Sequence, residues 1–288
     1  MISNFIKRYF TNINKGSITN INKFRITFDP IGYIDSVFPK KYGTPRQGIL
    51  VKESEGSLKI LGKNALHMLK GLEEYSHVWL IFCFHQNQHI NSKWNNKENR
   101  TELKFIEGES RDDLPPTIRP PRLNGKRIGI FATRSPHRMN DIGLTLCKLE
   151  RIEKDIVYLS GIDLIHGTPI LDIKPYIPIY DNVPDASFPQ WILDKPNTIE
   201  TIEFSINSLE NLQKLLNSNT ENINEAKELI SQVLLSDPRS IYRKKKRADQ
   251  PWGFIVKNLY IQCQIKDETI ALIIDIKEKD KFYSDQIL

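Results

Sequence analysis

The chain has 288 residues, of which 39% are hydrophobic and 26% charged, and a formal net charge of +6 at neutral pH. That size and balance fit a folded, water-soluble protein with one good-sized core and a second, smaller unit, and they exclude a disordered chain. No apolar run approaches the roughly 20 residues that a membrane-spanning helix needs, and the positive balance favours an anionic partner, nucleic acid above all.

In chain order, residues 1–26 come first as a leader rich in Ile and Asn. Lys7, Arg8, Lys15, Lys23 and Arg25 are basic there and nothing is acidic. A disordered leader on a cytoplasmic protein and a mitochondrial presequence share this composition, and both stay open. FRITFDPIGYIDSVF from Phe24 reads as a strand, a Pro-Ile-Gly break and a second strand, followed by the loop PKKYGTPRQG and the strand GILVKES. LGKNALHMLKGLEEYSHVW then carries Leu61, Ala65, Leu66, Leu69 and Leu72 at helical spacing, with Gly71 closing the helix. VWLIFCFHQN from Val78 is a central strand, and the polar, aperiodic residues 90–119 form a mobile insertion.

From Pro120 to Asp181 the chain is a run of short strands. IGIFATR, LTLCKLERI, DIVYLSGIDL and TPILDIKPYI are rich in β-branched and aromatic residues, with Gly, Pro, Asn or Asp between them. The region 27–183 is therefore a mainly β domain. A Pro-punctuated linker, 184–204, leads to a small α+β module over 205–288. SINSLENLQKLLN and NINEAKELISQVLLS are its helices, DPRSIYRKKKRAD caps the second, and FIVKNLYIQCQI and ETIALIIDI make a hairpin turned at Lys266-Asp267-Glu268.

Polar residues concentrate at the strand ends, where loops held by a scaffold carry function. Arg46 sits in GTPRQG, and His85 and Gln86 follow the central strand. Arg134, His137, Arg138, Asn140 and Asp141 crowd one loop, and Asp163 and His166 the next. Period-two alternation places Asp172, Lys174 and Tyr176 on one strand face, with Leu171 and Ile173 on the other. Each has a plain structural alternative: a salt-bridged surface arginine, a core histidine, a solvated wall. RKKKR at Arg243–Arg247 is the densest basic run and equally suits a solvated face or an RNA contact. Cys83, Cys147 and Cys263 lie too far apart for metal spacing or a disulfide framework, so free thiols, a reducing compartment and no metal are expected. No P-loop, GxGxxG, GxSxG or HExxH pattern occurs. Chemistry alone leaves an anion- or cofactor-binding loop of unstated type.

GTPRQ, GLEEYSHVWLIFCFH, RPPRLNG, ATRSPHRMNDIGLTL and SGIDLIHGTPILDIKPYIPIYD together resemble the TrmO (TsaA-like, YaeB-like) family of tRNA N6-threonylcarbamoyladenosine methyltransferases. The likeness covers roughly Pro30 to Asp181 and resumes at DPRSIYRKKKRAD. It implies a compact β-barrel followed by the α+β module, a homodimer, and S-adenosylmethionine held near the subunit interface. Pro45, Arg46, Gln47, His85, Gln86, Arg134, Leu144 and the segment Ile170, Leu171, Asp172, Ile173 resemble the family's cofactor contacts. The implied reaction methylates N6 of threonylcarbamoyladenosine at tRNA position 37. The proton acceptor is left among His137, Tyr176 and Asp163, and Arg138, Lys174, Arg243, Lys244, Lys245, Lys246 and Arg247 are candidates for the RNA. Met139-Asn140-Asp141 departs from the family's Pro-Asn-Ala or Pro-Asn-Pro and gives up a fixed φ. A non-catalytic RNA-binding relative and a small-molecule methyltransferase on the same barrel are the alternatives.

Overall fold

Six antiparallel strands close the first half of the chain into a barrel in the computed structural model, which describes residues 28–87, 116–123, 125–194, 199–267 and 269–280. The leader and most of the 90–119 insertion lie outside the described residues. The barrel strands are β1 (Gly32–Ser36), β2 (Glu55–Lys59), β3 (His77–Cys83), β6 (Ile142–Glu153), β7 (Ile156–Ser160) and β8 (Pro169–Pro175). They close in the order β1-β2-β7-β6-β3-β8, a closure that removes most of the sheet edge. Two-residue strands β4 (Thr117–Ile118) and β5 (Ile128–Gly129) pair beside it.

Alternation decides the two sides of the barrel wall. On β3, Val78, Leu80 and Phe82 are buried while His77, Trp79 and Ile81 are half-buried. On β6, Thr145, Cys147 and Leu149 point inward, and Leu144, Lys148 and Glu150 point outward. Each fully buried Leu or Val adds about 1.5–3 kcal/mol of hydrophobic stabilisation. Cys83, Cys147 and Cys263 are free and buried. Burial and the nearby Asp141 push the Cys83 thiol up to about 12, and burial drives the other two up as well, so none is a ready nucleophile.

In the barrel half, local expectations change at three places. The predicted strand GILVKES is a 3-10 turn, Gly48–Leu50, and the strand comes later as β2. The turn is set by a backbone approach: a Cβ on Gly48 would lie 1.8 Å from the Gly161 carbonyl oxygen. IGIFATR supplies only β5 before a 3-10 turn, Ile130–Ala132. The expected leucine helix shrinks to α1 (Ala65–Leu69), which buries Ala65 and Leu69 but leaves Leu61 and Leu66 exposed. Five residues make less than one and a half turns, too few to wrap a five-membered stripe onto one face.

After β8 and the single turn α2 (Pro178–Asp181), a second sheet forms from β9 (Thr201–Phe204), β10 (Trp252–Val256), β11 (Leu259–Asp267) and β12 (Ile270–Glu278). Its order is β10-β11-β12-β9, with β9 parallel to β12. β9 lies inside the stretch read from sequence as linker. FIVKNLYIQCQI, read as one strand, breaks at Lys257, whose φ of 54° turns β10 back onto β11. Helices α3 (Ile206–Leu215) and α4 (Thr220–Leu235) bury Leu212, Leu229, Ile230 and Val233 in the core cluster. Ser205 and Asn219 cap them by accepting the backbone N–H groups of Ser208 and Asn222. The short α5 (Ile241–Lys246) carries most of the basic run. The two units meet through Lys257 N–H on the Val37 carbonyl at 2.7 Å and Glu53 N–H on Gln232 Oε1 at 3.2 Å.

Gly48→Ala forces the turn away from Gly161. Overpacking of this kind costs about 1–3 kcal/mol or more, so thermal unfolding should show a lowered Tm. A variant that melts with the wild type would contradict the close approach.

Candidate functional site

The polar residues gather where the barrel wall is incomplete. β7 pairs with β6 only over Lys148–Glu153, so the first half of β6 has β3 on one side and no strand on the other. The Gly48–Leu50 turn packs into that gap. It carries Gln47, whose Oε1 accepts a 2.8 Å hydrogen bond from Arg134 Nη1. Beneath them lies Asp163, its Oδ1 buried without a hydrogen-bond partner. Burial raises the Asp163 carboxyl to about 6, opposed by the Thr145 hydroxyl, the backbone N–H groups of Asp163 and Gly48, and the charge of Arg134. Gln47, Arg134, Leu144, Leu146, Trp79 and His77 line one open groove of about 1300 Å³ along the outer wall.

Strand register extends this wall. Leu144 lies opposite Ile81 on β3, and Ile81 lies opposite Asp172 on β8, so all three side chains share the outer face. Asp172 is thus two strand spacings from Leu144, about 9–10 Å. It accepts Ile173 N–H at 2.9 Å and pairs with Lys174 at 2.7 Å. Lys174 is therefore already engaged with a carboxylate. Tyr176 packs edge-on against Trp79 and His77, and Trp79 donates to Asp181 at 3.4 Å. Leu171 and Ile173 are half-buried beside Asp172, whereas Ile170 is fully buried and its carbonyl accepts Ile31 N–H.

The loop that holds Arg134 is fastened from below. Buried Asn87 donates to the buried Asp141 carboxylate at 2.6 Å and to the Pro136 carbonyl at 2.9 Å, while Phe84 N–H reaches the Asp141 carbonyl. Arg138 turns back onto its own loop, donating to the carbonyls of Thr133 at 2.7 Å and Ile130 at 3.3 Å. His137 is exposed at the loop tip. At the end of β3, burial and Lys41 lower the His85 pKa against a backbone hydrogen bond with Cys83, and Lys41 donates to the Gln86 carbonyl. Of the three candidate proton acceptors, Asp163 alone lies beside the Arg134–Gln47 pair.

Pro45 is buried at the other end of this turn, and Arg46 reaches across to the second unit, donating to the Arg239 carbonyl at 2.9 Å. Burial of its guanidinium lowers the Arg46 pKa, with Asp237 opposing and Arg122 adding to the effect. Arg239 grips Asp237 through two hydrogen bonds, 2.7 and 2.9 Å, and Lys244 approaches the same carboxylate at 2.5 Å. Burial pushes the Asp237 carboxyl up, but these two cations outweigh it and hold it below the ordinary range. The basic run is thereby divided. Lys244 faces inward, Arg243 donates to the Gln250 carbonyl at 3.4 Å, Arg247 lies 5.9 Å from the Tyr242 ring, and Lys246 is exposed. Lys245 belongs to the same helix, α5.

The sequence reading missed Asn87, Thr145 and the Asp237–Arg239 pair. A usable signal existed for the first: an Asn and an Asp close two strand-ending loops, FHQN and ATRSPHRMND, and complement each other. Among the described residues, no group of three or more His, Cys, Asp or Glu is arranged to hold a metal.

Comparison with known proteins follows the same division. A family model described as the tRNA-methyltransferase O N-terminal domain matches residues 33–182, and one described as the TrmO C-terminal domain matches residues 201–279. A Rattus norvegicus protein named tRNA (adenine(37)-N6)-methyltransferase is 50% identical over 157 residues, covering 54% of this chain and 31% of that protein. The Escherichia coli K12 protein of the same name is 33% identical over 246 residues, covering 83% and 93%. A Pseudomonas aeruginosa protein, RcsF, named for S-adenosylmethionine-dependent methyl transfer, is 40% identical over 218 residues, covering 75% and 82%. The crystal structure of TrmO from Pseudomonas aeruginosa matches with a TM-score of 0.64 at 30% identity, over 88% of this chain and all of that one. The chain spans about a third of the length of the mammalian relatives it matches.

Three charge substitutions probe the site. A carboxyl whose folded pKa is raised stabilises the fold below its unfolded pKa and loses that contribution as pH rises through the folded value. Asp163→Asn should therefore melt above the wild type near pH 7.5, by as much as about 3 kcal/mol, with the gap closing towards pH 4. An equal gap at both pH values would contradict the burial of Asp163. Asp237→Ala should cost about 3–5 kcal/mol by stranding the buried Arg239, against less than about 1 kcal/mol for Lys174→Ala on the exposed wall. Denaturant unfolding of both variants checks this, and equal losses would count against it.

Proposed function

From membership of the tRNA-methyltransferase O family, to which this chain belongs through matches to both of its domains, we propose that the protein is an S-adenosylmethionine-dependent methyltransferase acting on tRNA. Its acceptor is N6 of the adenosine at position 37, the position named for the rat and E. coli relatives, in its threonylcarbamoylated form. The supporting observation is convergence. Gln47, Arg134 and Leu144 line one groove, and Asp172 shares its wall.

These residues suit the cofactor chemically. Arg134 uses one nitrogen on Gln47 and keeps others for a carboxylate, which a planar guanidinium grips well. Leu144, 55% exposed on the outer face of β6, offers an apolar face to a nucleoside. Asp172 offers acceptors to ribose hydroxyls. Asp163, close beneath Arg134, holds that guanidinium in place by charge. S-adenosylmethionine, when bound, supplies a methyl already activated by its sulfonium. The chain's own work is then to align donor and acceptor at about 3–3.5 Å and to keep water from the reacting centre. Arg46, tied to Arg239, links the cofactor turn to the module that carries the basic helix.

A second copy of the chain completes the arrangement in this reading. Leu144, Ile179, Tyr180, Val183 and Phe188 are exposed apolar side chains of the kind a homodimer contact would cover.

Incubation with methyl-labelled S-adenosylmethionine and threonylcarbamoylated tRNA should label adenosine 37, read by nucleoside mass spectrometry. Arg134→Ala should lower kcat/KM about 100-fold, near 2.7 kcal/mol of lost stabilisation. Tight tRNA binding without any transfer would leave a binding protein and refute the proposal.

A further inference from the structure

A second cavity, of about 750 Å³, lies between the barrel and the C-terminal module. Its lining draws Lys40, Lys41, Tyr42 and Gln86 from barrel loops, and Arg243, Trp252 and Tyr260 from the module. Three features set it apart from a gap left by imperfect docking.

The first is charge. Lys40, Lys41 and Arg243 contribute three cations and no carboxylate lines the cavity. Lys41 uses one donor on the Gln86 carbonyl, and an ammonium has three. Arg243 holds the Gln250 carbonyl through a single nitrogen of its guanidinium. Donors of both remain for an anion.

The second is an aromatic wall. Tyr42 meets Trp252 edge-on at 5.8 Å, and Phe254 lies tilted against Trp252 at 5.5 Å. Tyr260 lies flat over Gly253, where an added Cβ would come within 2.2 Å of its hydroxyl. Any side chain at 253 would push the ring off the strand, so glycine keeps the ring down and the cavity open.

The third is an unmet donor. Trp252 is 4% exposed, and its indole N–H is buried with no hydrogen-bond partner among the described residues. A buried donor left unpaired costs about 1–3 kcal/mol, a cost concentrated in the strand that forms the cavity wall.

We propose that this cavity binds one unpaired nucleotide of the RNA substrate, its base against Tyr42 and Tyr260, which are the accessible rings of the wall, and its phosphates among Lys40, Lys41 and Arg243. Cations that track a backbone beside aromatic faces that take a base are how single-stranded RNA is held, and the volume falls in the range of nucleotide-sized sites. Exposed Lys246 and Arg247 continue the positive surface along α5, which suits a chain passing through rather than a free nucleotide. The inference rests on RNA being the substrate; Gln86, which the resemblance implied as a cofactor contact, lines this cavity and not the groove beside Arg134.

The test is ultraviolet crosslinking of the full chain to an anticodon stem-loop RNA, with crosslinked peptides mapped by mass spectrometry. It is paired with RNA affinities of Tyr260→Leu and Arg243→Ser. Crosslinks should fall on the Trp252–Tyr260 peptide. Each variant should weaken RNA binding at least tenfold, and Arg243→Ser should flatten the salt dependence by about 0.7–0.9 in log–log slope, as for one lost phosphate contact. Crosslinks confined to other surfaces, or RNA affinities equal to the wild type, would overturn the proposal. So would adenosine monophosphate binding as tightly as the RNA, which would mark a free-nucleotide site. If Tyr260→Leu fails to fold, the wild-type crosslink map and Arg243→Ser decide. Normal methyl transfer with no crosslink in the cavity defeats this inference alone. Crosslinks without methyl transfer defeat only the catalytic reading.

Discussion

Everything at the proposed cofactor wall depends on how closely two backbones meet at Gly48 and Gly161. Within the six-stranded barrel, β7 pairs with β6 only over Lys148–Glu153 and would leave the first half of β6 with a free edge. The Gly48 turn closes that edge from outside, and Asp163, two residues past Gly161, closes it from beneath. Only a residue without a side chain can lie that close to a carbonyl. Once seated, the turn delivers Gln47 to Arg134, and the buried carboxylate below supplies a counter-charge. The candidate site is thus a repaired defect in a closed sheet, and the repair brings Gln47, Arg134 and Asp163 together.

The same turn also connects the two units. Nearby residues look in different directions: Lys40 to Tyr42 face the inter-module cavity, Arg46 holds the Arg239 carbonyl, and Gln47 faces the cofactor groove. Behind Arg239 stands a buried triad of one carboxylate and two cations. A buried pair of this kind contributes little net stability, yet it is costly to break from one side. It therefore fixes the orientation of the two units more than it adds stability, and the proposed RNA contact depends on that orientation.

Much of this architecture was legible in the residues. Strands β3, β6, β7 and β8 follow from β-branched runs between turn residues, and the amphipathic stripes of α3 and α4 place their buried faces. Polar crowding in ATRSPHRMND and GTPRQG pointed to the loops that meet. What stayed hidden is non-local. GILVKES has strand composition, but the carbonyl that forces its turn belongs to Gly161, and no local periodicity encodes that encounter. Arg46 and the Arg239 carbonyl are 193 positions apart, and Asn87 and Asp141 are 54 apart. The stretch FIVKNLYIQCQI looked continuous because Lys257 and Asn258 are too few to interrupt a pattern, although together they turn a hairpin. Trp252 and Tyr260 drew no notice as ordinary strand aromatics; only the second unit's docking makes them the wall of a cavity.

The central claim is that the cofactor lies on the outer face of β6, β3 and β8. A crystal structure of the protein with S-adenosylhomocysteine tests it most directly. The account predicts the ligand along that wall, its amino-acid end at Arg134 and Gln47, its nucleoside over Leu144 towards Asp172. Ligand inside the barrel, or in the cavity beside Trp252, would contradict it.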